Sequence, residues 1–171
     1  PAANYLERLE TQGIPVIPIT SKTRAEVLSF RATINNQHPF IIENGAAICI
    51  PKGYFDQCPE QAAKFEDYWI ISNTEPRSRW IGILNQIGKP FADEYQTFSS
   101  ICADQGIEGL ALLTGLTLEQ SSLAQQREYS ESANQRHRYR QGGNQCGAAV
   151  LQEDVNHQNH QGHRLEQGDD N

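Results

Sequence analysis

Gly13-Ile14-Pro15-Val16-Ile17-Pro18-Ile19-Thr20-Ser21-Lys22-Thr23-Arg24-Ala25-Glu26 is the stretch on which the fold turns. Ile14, Val16, Ile17 and Ile19 form a short, β-branched apolar run, the pattern of a strand buried on both faces of a parallel sheet. Thr23 and Glu26 stand at capping-box spacing, so a helix is expected to begin near Thr23. A strand's carboxyl end meeting a helix's amino end is where open α/β sheets bind ligands. Free N–H groups and the positive end of the helix dipole favour an anion there. Thr20 and Ser21 add hydroxyls, and Lys22 adds a mobile positive charge suited to phosphate. The same residues also fit a plain capping turn on a solvated face, and this stretch alone does not choose between the two.

Upstream, residues 1–12 carry Tyr5, Leu6 and Leu9 on one face and predict an amphipathic helix ended by Gly13. Downstream, the helix from Thr23 runs to about Ile34, stopped by Asn35-Asn36 and Pro39. Phe40-Ile41-Ile42 and Ala46 to Ile50 read as strands joined at Glu43-Asn44-Gly45, and Asn-Gly between apolar runs is a strong hairpin signal. The alternation of helices and strands predicts parallel strands with right-handed crossovers. From Pro51, Pro, Gly and Gln gather and periodicity fades, which predicts a domain boundary. Beyond it, Tyr68 to Ile71 reads as a strand, and Pro76 to Ile87 as a helix with Trp80 as a packing residue. Tyr95 to Ile101 reads as a short strand or edge. Leu110–Leu113 and Leu118 to Gln126 read as helical, and Arg127 to Glu131 as the start of a strand.

The net charge of -7 and a pI near 5.2 argue against a nucleic-acid partner. No apolar run approaches the ~20 residues that a membrane-crossing helix needs. Cys49, Cys58, Cys102 and Cys146 show no C-x-x-C spacing, and free thiols in a reducing, cytoplasmic compartment are expected. The sequence has no Met and opens on Pro, so it is expected to be an internal piece of a longer chain. After Ser132 the composition shifts to Gln, Asn, Gly, Arg and His, which cannot bury enough apolar surface to order itself, so residues 133–171 are expected to be disordered. Neither the histidines at 157, 160 and 163 nor Gly168-Asp169-Asp170 makes a convincing metal site, and no metal ligand is assigned.

Taken in order, Pro15 to Glu26 (PVIPITSKTRAE), Pro39 to Ile48 (PFIIENGAAI), Ile50 to Phe55 (IPKGYF), Leu113 to Leu116 (LTGL) and Arg127 to Glu131 (REYSE) resemble the mannosyl-3-phosphoglycerate phosphatases. These are a branch of the haloacid dehalogenase-like phosphohydrolases. The likeness covers about residues 1–132. It implies an α/β fold: a partial Rossmann-like core at residues 1–50, part of an inserted α/β cap at 51–132, and an unrelated tail at 133–171. It also implies a phosphoryl-binding hydroxyl at Thr20, with Ser21, Lys22 and Arg24 facing anionic groups. Glu43, Asn44, Gly45 and Arg127 would then lie near the cleft that takes the glycosyl and glycerate parts.

The implied reaction is hydrolysis of mannosyl-3-phosphoglycerate to mannosylglycerate and phosphate. Such enzymes use an aspartate nucleophile, a second aspartate as acid and base, and Mg²⁺. The DxD motif, a later Lys and the GD-x-x-x-D motif of that family have no counterpart here, so the chain alone is expected to be inactive. A reading-frame disruption near Ser132 would account for the tail. A related sugar-phosphate phosphatase, or a non-catalytic fragment that only binds a phosphorylated ligand or a partner, are the alternatives. The expected ligand is a small phosphorylated sugar; oligomeric state is not legible.

Overall fold

A computed structural model of the chain describes residues 2–135. The expectations placed on His157, His160, His163, Gly168-Asp169-Asp170 and Cys146 lie outside the described residues. The architecture is mixed α/β, as expected. Helix α1 (Ala2–Thr11) ends at Gly13, whose φ of 68° only glycine adopts freely. Helix α2 (Arg24–Thr33) carries the expected capping box: Glu26 N–H donates to Thr23 Oγ1, and the Glu26 carboxylate accepts from Thr23 N–H.

The run between these helices departs from expectation. Residues 14–18 form no strand, and Ile19 makes one parallel bridge to Ile41. Thr20 N–H donates to Ile41 O at 3.1 Å, and Ile41 N–H to Pro18 O at 2.8 Å. Pro15 and Pro18 have no N–H to continue a ladder, which explains why pairing stops after one bridge. Nor is the run buried on both faces, since Ile19 is 70% exposed.

Strands β1 (Phe40–Ile42), β2 (Ala47–Pro51), β3 (Ala63–Phe65) and β4 (Tyr68–Ser72) form one sheet in the order β1-β2-β4-β3. Every pair in it is antiparallel, so the expected parallel pairing is confined to the single Ile19–Ile41 bridge across α2. The connections decide this. The turn at Glu43–Gly45 and the tight turn at Glu66-Asp67 are too short for anything but antiparallel neighbours. β2 and β4 pair directly, so the sheet continues across residue 51.

The core lies between α2 and this sheet. Val27 meets Phe40, Ile42, Ala47, Cys49 and Ile70, with Leu28, Tyr68 and Tyr129 packed at its margin. Cys49, Cys58 and Cys102 are free thiols, and burial pushes the Cys49 thiol up to about 12.

The second half comprises α3 (Arg77–Ile87), β5 (Tyr95–Thr97), α4 (Phe98–Thr114), α5 (Leu118–Ala124) and β6 (Ala133–Gln135). β6 pairs with β5, so the first residues after Ser132 are ordered in a strand. The helix expected at Leu110–Leu113 is the end of α4, which starts at a Thr97 cap and breaks at Gly106 (φ 69°, ψ −168°). Ser, Asp and Gly in its first half hide the apolar spacing. Gly115 ends it in the left-handed region. α5 packs against both α2 and α4. Among the described residues no helix is long and apolar enough to cross a membrane.

Candidate functional site

The turn after β1 has three successive residues at positive φ: Glu43 (47°), Asn44 (61°) and Gly45 (92°). Gly and Asn tolerate this region, but Glu adopts it only when its surroundings hold it there. They do so from two sides. Along the main chain, Glu43 N–H donates to Lys22 O at 3.0 Å and Asn44 N–H to Thr20 O at 2.9 Å. The Glu43 carboxylate, fully buried, accepts from Glu128 N–H at 2.8 Å, Tyr129 N–H at 3.3 Å and Ser130 Oγ at 2.5 Å. Arg127 Nη1 stands 3.7 Å away and neutralises it.

The strip Arg127–Glu131 was expected to start a strand. It instead runs as a connector whose groups point to different partners. Arg127 donates through Nη1 to Ser130 Oγ at 2.8 Å and through Nη2 to Ser21 O at 3.3 Å. Its Nε is buried without a hydrogen-bond partner among the described residues. Glu128 pairs with Arg24 Nε at 2.9 Å, and the same guanidinium reaches Glu66 at 3.0 Å and lies over the Phe65 ring. Burial works against the Arg24 charge, but its bonds to Glu128 and Glu66 outweigh that and raise its pKa. Tyr129 packs into the core margin. Glu131, almost fully buried, pairs with Arg77 Nε at 2.7 Å and caps the first turn of α4 through Ser99 N–H at 3.0 Å. Arg77 also holds the strip's backbone entry, donating to Gln125 O at 2.8 Å and Arg127 O at 3.4 Å.

Three stretches far apart in sequence, 20–26, 43–45 and 127–131, therefore meet in one hydrogen-bonded junction. Two clefts open beside it. One, of about 460 Å³, is lined by Thr20, Lys22 and Glu26 with apolar walls from Ile19, Phe30 and Leu123. The other, of about 580 Å³, is lined by Asn44, Gly45, Asn73, Ser130 and the apolar face of α3 with Trp80. Thr20 Oγ1 accepts from Lys22 N–H at 3.2 Å, which leaves its own O–H proton free to donate. Lys22 Nζ rests on Glu26 at 2.8 Å with more than half its side chain exposed. Burial pushes the Glu26 carboxyl up, but bonds from the Lys22 side chain and the Thr23 N–H outweigh it and hold the group below its ordinary range. Ser21 is exposed.

The structure thus brings Thr20, Ser21, Lys22, Glu43, Asn44, Gly45 and Arg127 together, while Arg24 is turned towards Glu66 and Glu128. Sequence reasoning missed Arg77, Asn73 and the cleft-facing position of Trp80. Arg77 simply follows a proline at a helix start, and nothing nearby marks a partner 54 residues away. The described residues do not fit a Mg²⁺ site. Glu43, Glu128 and Glu131 are each engaged by an arginine and Glu26 by a lysine, and no cluster of three His, Cys, Asp or Glu offers a donor set.

The chain is 35% identical over 127 residues to the glucosyl-3-phosphoglycerate/mannosyl-3-phosphoglycerate phosphatase of Methanococcoides burtonii, covering 74% of this chain and 45% of that protein. The enzyme of the same name from Persephonella marina is 32% identical over 129 residues, covering 74% and 44%. The mannosyl-3-phosphoglycerate phosphatase of Pyrococcus horikoshii is 33% identical over 132 residues, covering 77% and 51%. No family model matches the chain. Its likeness is therefore to phosphatases of glycosylated phosphoglycerates. Over this stretch the chain is similar to the mannosyl-3-phosphoglycerate phosphatases. It spans about half the length of the curated relatives it matches.

Proposed function

We propose that this chain is the ligand-binding part of a cytoplasmic, haloacid dehalogenase-like phosphatase that hydrolyses mannosyl-3-phosphoglycerate to mannosylglycerate and phosphate. The observation that carries this reading is the junction of the 20–26, 43–45 and 127–131 stretches, the same stretches that carry the family likeness. The 20–26 and 43–45 stretches supply one side of the site and the 127–131 strip the other.

In this reading Thr20 Oγ donates one hydrogen bond to a phosphoryl oxygen, its position fixed by the Lys22 N–H that it accepts. Ser21 adds a second hydroxyl. Lys22 leaves Glu26 to meet the phosphate charge, an exchange its exposed side chain allows. Glu43 and Arg127 neutralise each other and keep the Asn44-Gly45 tip in place, while Arg24 fixes the strip through Glu128. Magnesium belongs to the reaction of the family at large. The described residues do not fit it, and no step is assigned to it here.

The test is a pair of measurements on this chain. Calorimetry with mannosyl-3-phosphoglycerate is expected to give saturable binding, and a phosphate-release assay with Mg²⁺ is expected to show no turnover. Absence of binding overturns the reading, and Mg²⁺-dependent release overturns the assignment of the chain as binding part only.

A further inference from the structure

Asn44-Gly45 is the one Asn-Gly pair in the sequence. In such a pair the chain can attack itself, because glycine has no side chain to shield its own nitrogen. Gly45 N gives up its proton to solvent and bonds to the side-chain carbonyl carbon of Asn44. The bond from that carbon to Nδ2 breaks, and ammonia leaves. Water then opens the cyclic imide at either carbonyl, giving aspartate or isoaspartate. Nothing but water is consumed. Access at the turn favours the reaction. Asn44 is exposed, and its carboxamide makes no hydrogen bond among the described residues. No atom lies within 4 Å of where a Gly45 side chain would stand.

The backbone opposes it. Ring closure needs Gly45 N on the same side as Asn44 Cβ, which in an L-residue requires a strongly negative ψ. Asn44 is held at φ 61° and ψ 35°, where that nitrogen stands nearly opposite Cβ across the Cα–C bond. The anchors lie on both sides of the reacting atoms. Asn44 N–H donates to Thr20 O at 2.9 Å, and Ala46 N–H to Ile42 O at 3.1 Å. From the end of β4, Asn73 Nδ2 donates to Gly45 O at 3.1 Å and Asn73 N–H to Ala46 O at 2.8 Å. Beneath them the Glu43 carboxylate is tied to the 128–130 strip. None of these anchors is the Asn44 side chain, so its protection comes wholly from the surrounding fold. Conversion then proceeds only from molecules whose turn has opened, at a rate set by the open fraction.

We propose that Asn44-Gly45 is a self-modification site held shut by the folded junction, so that Asn44 records how long the turn has spent open. The product acts back on the fold. Either acid puts a second carboxylate one residue from the buried one of Glu43. Isoaspartate also inserts a methylene into the main chain, and the anchors on Asn44 N–H and Gly45 O are spaced for an ordinary peptide link. A turn that has stayed open long enough is thereby kept from closing again. This rests on the turn alone and is independent of the phosphatase reading.

The full chain is incubated at mildly alkaline pH in buffer, in denaturing urea, and as Asn73→Ala in buffer. Peptide mass spectrometry follows amide loss at Asn44, and labelling by isoaspartyl methyltransferase identifies the isomer. Wild-type amide loss is expected to be slower in buffer than in urea by about tenfold or more, the ratio set by how rarely the turn opens. Asn73→Ala in buffer is expected to convert about fivefold faster than wild type, the loss of one hydrogen bond that only the closed turn makes. Should Asn73→Ala fail to fold, it converts at the urea rate and the wild-type comparison decides. Equal wild-type rates in buffer and urea, or a folded Asn73→Ala that converts at the wild-type rate, overturns the protected site. The isoaspartyl form, separated by ion exchange, is expected to unfold at a lower urea midpoint than Asn44→Asp, which adds the charge without the methylene. An isoaspartyl form with the wild-type midpoint overturns the action on the fold.

Discussion

Glu43 concentrates more structural demand than any residue near the site. It occupies a backbone region that glutamate disfavours, and it brings a charge into a place without solvent. Both costs are offset by the N–H groups and hydroxyl of the 128–130 strip and by Arg127. Removing the carboxylate leaves those N–H groups and the Arg127 charge buried without their acceptor. Glu43→Ala is therefore expected to cost about 3–5 kcal/mol of folding free energy, and Glu43→Gln less, since an amide oxygen still accepts. Urea denaturation of the two variants checks this order. The Glu-Asn-Gly triplet was legible in sequence as a turn, because Asn and Gly announce positive φ by their chemistry. The burial of Glu43 was not legible, because the groups that make it tolerable lie 84 residues or more away.

At the scale of elements, Thr23 acts twice. Its hydroxyl oxygen caps α2 by accepting from Glu26 N–H, and its proton goes to Leu123 O at 2.9 Å, tying α5 to α2. Thr23→Ala removes both bonds from a fully buried position and is expected to destabilise the fold by about 1–3 kcal/mol, against about 1 for an ordinary capping loss. Thermal unfolding of Thr23→Ala beside Thr117→Ala, which loses only a cap on α5, separates the two contributions. The cap itself was readable from the Thr23–Glu26 spacing; the second bond was not. The same division holds elsewhere. β1, β2, β4 and α3 follow from apolar periodicity and punctuation, whereas the apolar run at 14–19 misleads because two prolines silence its hydrogen-bonding edge. α3 shows the opposite failure. Its spacing was read correctly, but spacing says only that a face is apolar, not whether protein or ligand covers it.

Across the whole molecule, the 20–26 turn carries a pH dependence. The Glu26 carboxyl is held below its ordinary value of 4.5, with burial outweighed by bonds from Lys22 and Thr23. A lowered folded-state pKa means the unfolded chain takes up protons first. The stabilisation from Glu26 is thus complete above pH 4.5 and is lost as pH falls through the lower folded value. Urea midpoints measured from pH 7 to pH 3 are expected to fall, and Glu26→Gln is expected to flatten part of that fall while lowering the midpoint at pH 7. The junction of the three stretches has a further consequence in time. Glu43 emerges from the ribosome 85 residues ahead of Glu128, the first of its N–H donors, and 84 ahead of Arg127. Until the 127–130 strip has been made, the nascent β1–β2 hairpin carries a hydrated anion at its tip without its protein donors. Assembly of this half of the molecule is consequently a late event, completed only when the last stretch of the site has been translated.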